Sequence, residues 1–195
     1  MMDNTWHGTL DRWRDVMFPV TLVGPRVVLR ETTLDDAEVL AGITGHPLVF
    51  GWLPYDEVPT VDKLRAAMPA KLRAREDDDR TSYEWIVTQE GVPMGVGGID
   101  VLSLPSRRGS IGYCIHPDHW GRGLAAEAAN IMIEFGFGKL GLHRIEASTH
   151  PENLASRRVL EKNGMWLEGH HRHDRLVRGV WWDSMQYAIL SPHGR

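Results

Sequence analysis

The apolar residues change period several times along the chain, and each change predicts an element. Trp6, Leu10, Trp13 and Met17 recur at spacings of four, three and four, which places them on one stripe of a short N-terminal helix that Pro19 ends. From Arg26 to Glu31 the pattern becomes strand-like, with Val27 and Leu29 alternating. Thr33 and Asp36 resemble a helix cap ahead of the helical periodicity of residues 34–43. A Pro- and Gly-rich passage over 45–59 leads to a helix opened by Thr60, carrying Leu64, Ala67, Met68 and Leu72 and expected to kink at Pro69. Three strands follow, over 83–89, 93–102 and 110–116; the Glu90-Gly91 turn and the Pro105–Gly109 link between them are short enough to imply antiparallel hairpins. A helix over about 122–138, with Leu124, Ala128, Ile131 and Phe135 on one face, leads to a strand at 143–149. A last helix over roughly 152–162 stops at Asn163-Gly164, and strands at 165–176 and 179–190 close the chain as a hairpin.

The strand, helix and strand in succession at 110–149 predict a parallel pair with a right-handed crossover. The fold class is therefore α+β, with a mixed, mostly antiparallel sheet of about seven strands whose fourth and fifth run parallel. Residues 1–20 read as an amphipathic helical extension, 21–190 as one domain and 191–195 as a tail. With 42% apolar and 25% charged residues over 195, the composition is that of one globular domain. The balance of 22 Lys and Arg against 26 Asp and Glu gives a net charge of −4, without the basic field that nucleic-acid binding needs. Cys114 is the single cysteine and cannot form an intrachain disulfide, and no run of ~18 apolar residues is present to span a bilayer. The opening residues are too acidic and polar for a secretory signal, so a cytoplasmic location without membrane or nucleic-acid partners is expected. The acidic run Glu76–Asp79 reads as a solvated loop.

The most informative segment is His116-Pro117-Asp118-His119-Trp120-Gly121-Arg122-Gly123-Leu124-Ala125-Ala126-Glu127-Ala128, a strand exit that becomes a helix start. Its glycines let backbone N–H groups converge where a helix leaves them without partners and where its dipole favours an anion; Arg122 adds a charge. A P-loop is excluded because Leu124-Ala125 follows Gly123 in place of Lys-Ser or Lys-Thr. Gly121-x-Gly123-x-x-Ala126, with Glu146 twenty residues on, fits dinucleotide spacing, but a Pro117-containing insert and the antiparallel links before it are the wrong context.

Trp120-Gly121-Arg122-Gly123-Leu124-Ala125 resembles the pyrophosphate loop of the GNAT acetyltransferases, and Glu127-Ala128 continues the Trp-Gly-x-Gly-x-Ala-x-Glu-Ala run of their RimJ/RimL-like branch. Thr21–Arg30, Gly112-Tyr113-Cys114-Ile115 and the Asn153–Gly169 segment resemble further pieces of that branch in the same order. The resemblance implies an α/β/α GNAT domain over 21–190, with the parallel strands splayed at a bulge near Cys114 and Ile115. It also implies acetyl-CoA as co-substrate and a primary amine as acceptor, either a small molecule or a protein N-terminus. Pantetheine would lie on unpaired N–H groups of Ile115 and His116, the pyrophosphate on Trp120, Gly121, Arg122, Gly123, Leu124 and Ala125, and Asn153 and Ser156 would face the pantetheine arm and sulfur. Many relatives carry a tyrosine as general acid where this chain has Leu160, so either Ser156 donates or relays the proton or the thiolate leaves unaided.

For the general base, Glu84, Asp100, His116, His173 and Asp174 all stand on or beside strands that could face a cleft; alternation puts Glu84 opposite Tyr83 and Trp85. His170, His171 and His173 invite a metal reading, but in a strand only His171 and His173 share a face, so no metal is expected. Cys114 stands mid-strand among apolar residues, as a packed thiol does. Half of the 16 aromatic residues are tryptophan, and Trp52, Trp85, Trp181 and Trp182 favour a small or aromatic-flanked acceptor. The Trp6 to Met17 stripe is expected to support a homodimer. A longer acyl donor such as succinyl-CoA, and a non-catalytic acyl-CoA-binding module, stand as alternatives.

Overall fold

The computed structural model describes residues 19–75 and 80–192. The N-terminal amphipathic stripe, the acidic run at 76–79 and the last three residues lie outside them. Eight strands form one sheet: β1 Thr21–Val23, β2 Val28–Glu31, β3 Ser82–Gln89, β4 Val92–Ser103, β5 Arg108–Ile115, β6 Arg144–Thr149, β7 Trp166–Val177 and β8 Val180–Leu190. Among the described residues five α-helices accompany them: α1 Ala37–Thr44, α2 Pro47–Phe50, α3 Val61–Arg73, α4 Leu124–Gly138 and α5 Leu154–Lys162. The sheet order is β1-β2-β3-β4-β5-β6-β8-β7, antiparallel except between β5 and β6.

The expected fold is the observed one, with one strand more than the seven expected. The extra strand arises because Gly24-Pro25 breaks the opening segment, and the Gly24 amide donates to Val27 O at 2.8 Å to close a small hairpin. Within the Pro- and Gly-rich passage, His46 caps and Pro47 opens the four-residue helix α2. Thr60 opens α3 as expected, its hydroxyl accepting from the Lys63 amide at 3.3 Å, and the helix runs on through Pro69.

The sheet buries its two faces separately. One face meets α4 and α5 in the main core, where Trp85 and Tyr83 pack edge-on against Phe135 at 5.5 and 5.2 Å between ring centroids. Trp85 is fully buried and its indole N–H donates to Val20 O at 3.0 Å, so it belongs to the core and not to a pocket. On the other face Ile86 packs with Ala37, Leu40 and Met68 of α1 and α3. That helical cover reaches only part of the sheet and leaves the face carrying Glu84, Asp100 and Cys114 open.

The parallel junction is short. β5 and β6 pair at Arg108↔Arg144, Gly109↔Ile145 and Ser110↔Glu146 only, whereas β6 stays paired with β8 to Thr149↔Met185 and β5 stays paired with β4 to Ile115↔Gly95. Past Ser110 each strand therefore follows its antiparallel neighbour, and a wedge opens between them. The bulge expected at Cys114 and Ile115 is absent: their register with β4 is regular, and the irregularity falls one strand away, where Val87 and Thr88 face Gly95 and Pro93 and leave Met94 out of register.

Candidate active site

The wedge opens into a cleft of about 1640 Å³ that runs from the start of α4, past β5, to the loop after α2. At one end Gly121 and Gly123 adopt left-handed φ of +73° and +75°, which glycine reaches without a Cβ penalty. Gly123 occupies the N-cap of α4 with no side chain to satisfy the first-turn amides, and Leu124, Ala125 and Ala126 line the cleft. The turn is held from both sides. The Trp120 indole donates to Ile115 O at 2.6 Å, and Arg26 bridges Arg122 O at 3.0 Å and the Glu127 carboxylate at 2.7 Å. Burial would raise the Glu127 carboxyl, but hydrogen bonds from Arg26 and Val27 outweigh it and hold the group below its ordinary value. The Arg122 guanidinium instead approaches the His119 ring at 3.2 Å, and Arg122 is not among the cleft-lining residues.

Along β5 the hydrogen-bonding direction alternates. Because the His116 amide donates to Met94 O at 2.8 Å, the alternation turns the amides of Ile115 and Tyr113 away from β4 and toward the wedge. His116 thus offers no free amide. Its ring stands against His46 at 5.0 Å and accepts the Asp118 amide at 3.4 Å, outside the cleft, which removes it as a base candidate.

Opposite β5, α5 begins inside the cleft. Asn153 caps the helix, its side-chain oxygen accepting the Ser156 amide at 3.0 Å. The Ser156 hydroxyl lies 3.2 Å from that of Tyr113, which also donates to Ser156 O at 3.3 Å. Burial raises the Tyr113 hydroxyl well above the ordinary tyrosine value against the opposing bond to Ser156, so it stays protonated. Tyr113 is the residue of this site that sequence reasoning missed; it stood only as a letter of a strand motif. Leu160 is buried in the core.

On the open sheet face Glu84 forms an ion pair with Lys71 at 3.2 Å, Asp100 accepts from the Ser82 hydroxyl at 2.6 Å, and all four residues line the cleft. Nothing lies within 4 Å of where a Cβ of Gly112 would stand, so the floor between these carboxylates and the wedge is bare. Cys114 also lines the cleft, and burial pushes its thiol up to about 12.

The other nominated residues lie elsewhere. Asp174 accepts from Ser184, which with Arg175 overcomes the opposing effect of burial and holds its carboxyl below the ordinary value; it does not reach the cleft. His173 stacks on Trp181 at 6.1 Å, His170 bonds Asp183 at 2.7 Å, and His171 stands 3.7 Å from Asp174. Of the four tryptophans expected at a pocket only Trp52 lines the cleft; Trp182 packs on His150 at 5.1 Å and Trp181 is exposed. Trp120, counted with the glycine turn, also lines it.

A splayed parallel pair, a glycine turn at a helix start and a capped helix opposite thus line one cleft. The Acetyltransferase (GNAT) domain family matches residues 26–166, and the chain belongs to that family as an N-acetyltransferase. It is 30% identical over 178 residues to the uncharacterized N-acetyltransferase YoaA of Bacillus subtilis, covering 90% of this chain and 99% of that one. Among solved structures, Mycobacterium smegmatis RimJ in complex with CoA-disulfide superposes with a TM-score of 0.79 at 27% identity, covering 89% of this chain and 88% of that one. The ribosomal-protein-S5-alanine acetyltransferase of Vibrio fischeri shares the fold, with a TM-score of 0.80 at 20% identity over 90% of this chain and 99% of that one. Among the described residues no helix is long and apolar enough to cross a membrane.

Proposed function

We propose that the protein transfers the acetyl group of acetyl-CoA to a primary amine by direct attack on the thioester. The observation that carries this reading is the convergence, on one cleft, of the amides at the start of α4, the wedge-facing amides of β5 and the Asn153–Ser156 turn of α5. The pyrophosphate rests on the amides of residues 121–125, where unpaired N–H groups and the helix dipole favour an anion. Pantetheine lies in the wedge as a surrogate strand on the amides of Tyr113 and Ile115, and the Ile115 amide polarises the thioester carbonyl.

Glu84, facing the cleft from β3, accepts a proton from the incoming ammonium. The neutral nitrogen attacks the carbonyl carbon and the C–S bond breaks; the Ser156 hydroxyl, hydrogen-bonded to Tyr113, gives its proton to the departing thiolate and takes the one that the amide nitrogen sheds, so it ends the cycle neutral. The acceptor is a small amine or a protein N-terminus; the RimJ and ribosomal-protein acetyltransferase likenesses make an alanine-initiated peptide the first acceptor to test.

Isothermal titration with acetyl-CoA of wild type, Gly123→Ala and Gly123→Glu tests the donor site. The alanine variant bears only the left-handed backbone penalty and retains binding, whereas the glutamate adds a negative charge to the turn that takes the pyrophosphate and weakens binding at least about a hundredfold. Equal affinity in all three proteins sinks the assignment. In the same titration Ser156→Ala keeps its acetyl-CoA affinity, while in a steady-state transfer assay its kcat falls by about 10²-fold. Parallel losses would reduce Ser156 to a binding residue.

A further inference from the structure

One wall of the cleft is the loop 51–56 after α2, from which Trp52, Leu53, Pro54 and Tyr55 line the cavity. This loop has little helical or strand pairing of its own to fix it. Besides the bonds of its first amides back to α2, it is tied to a residue about 120 positions later in the chain. Arg178 stands at the tip of the β7–β8 hairpin; its backbone amide donates to the Asp56 carboxylate at 2.9 Å, and its guanidinium donates to Leu53 O at 3.1 Å and to Tyr55 O at 2.6 Å. A longer contact of 3.4 Å reaches Gly51 O. The same guanidinium lies over the Phe50 ring at 4.7 Å and over the Trp182 ring at 4.9 Å. Several carbonyls and two ring faces are engaged by one planar fork, an arrangement a lysine ammonium does not reproduce.

The backbone of Arg178 supports the same conclusion. Residues 178 and 179 form a two-residue hairpin turn with φ of +49° and +76°. Such a turn wants Asn or Asp followed by Gly, and an arginine at its first position carries a steric penalty. A residue unsuited to the turn is held there by what its side chain does.

We propose that Arg178 is a positioning residue for the amine acceptor: it locks the hairpin tip to the loop 51–56 and so sets the shape of the acceptor wall, resting on the reading that this end of the cleft takes the amine. It touches none of residues 121–125, Asn153 or Ser156, so its role is confined to the acceptor.

The test compares wild type with Arg178→Asn and Arg178→Lys. Asparagine suits the turn, so Arg178→Asn retains or gains thermal stability, which separates the clamp from a merely structural role. Hydrogen–deuterium exchange of the segment 50–56 rises at least about tenfold in Arg178→Asn and to an intermediate extent in Arg178→Lys. Acetyl-CoA affinity by titration stays at the wild-type value. With an alanine-initiated hexapeptide and with spermidine as acceptors, KM for whichever is turned over rises about tenfold in Arg178→Asn while KM for acetyl-CoA does not move. Unchanged exchange over 50–56 overturns the clamp, and unchanged acceptor KM with raised exchange overturns its part in acceptor binding. Failure of the donor reading shows separately, as absence of acetyl-CoA binding in wild type, and leaves the exchange measurement decisive for the clamp itself.

Discussion

At the scale of single residues, environment decides what a side chain does, and Cys114 shows this most directly. It lines the cleft, yet burial pushes its thiol up to about 12, so at pH 8 only a trace is thiolate. We expect iodoacetamide to alkylate the folded protein at least about a hundredfold more slowly than a free thiol at the same pH, with full reactivity returning in denaturant. A mass-spectrometric time course checks this; equal rates folded and unfolded would place the sulfur in water. Part of the site was legible residue by residue. The glycine turn announces itself because a positive φ and a helix start are local properties, and Asn153 and Ser156 share a helix face at a spacing of three. The Tyr113–Ser156 contact was not legible, because it joins residues 43 apart through a strand and a helix that no period links. The engagement of the His116 amide was hidden for a similar reason: it depends on the register of β5 against Met94, which is fixed by the neighbouring strand. Glu84 was readable from alternation, whereas the same alternation could not say whether Trp85 met a core or a pocket.

At the scale of elements, the helix starts carry much of the specification. Arg30 of β2 pairs with Asp36 at 2.7 Å, and the same carboxylate accepts the Thr33 amide at 2.7 Å just ahead of α1. Burial alone would raise the Asp36 carboxyl, but the bonds from Arg30 and Thr33 prevail and hold it below 3.8. The unfolded chain therefore binds the proton more readily. This contribution is fully present above the unfolded value near 4 and is lost as the pH falls through the folded one. Asp36→Asn is expected to lower stability at pH 7 by about 1–2 kcal/mol and to flatten the acid limb of the stability profile below pH 4. Urea unfolding at pH 7, 4 and 3 checks both parts, and an unchanged acid slope would show that the pair contributes nothing. The sequence shows this element because cap and helix lie within a few residues. It hides β1, only three residues long, and α2, only four, since neither is long enough to display a period.

At the scale of the whole molecule, order and class of elements were readable throughout 82–190, where long amphipathic segments alternate with glycine and proline turns. What could not be read was where the parallel pairing stops, since that is a competition among four strands, β4, β5, β6 and β8. The wedge it leaves is the donor site of the proposed reaction, so occupancy should stabilise the entire domain. At a hundredfold excess over its Kd, acetyl-CoA adds about 2.7 kcal/mol, which raises Tm by roughly 5–10 °C in a domain of this size. Thermal scans with and without acetyl-CoA check the value, and Gly123→Glu is expected to lose the rise.

The three-pair junction between β5 and β6 has a modular consequence. It joins a five-stranded antiparallel meander, β1 to β5, to the three strands β6, β8 and β7, and the connection after α4 passes through Gly141 at a left-handed φ of +61°. A cut within that connection would divide the chain so that each piece carries the strands of one complete antiparallel ladder. Their surfaces meet at the short parallel seam and beneath α4. Such pieces are suited to fragment complementation, and a donor lying along the seam would splice the two, so that reassembly itself would report the donor's presence.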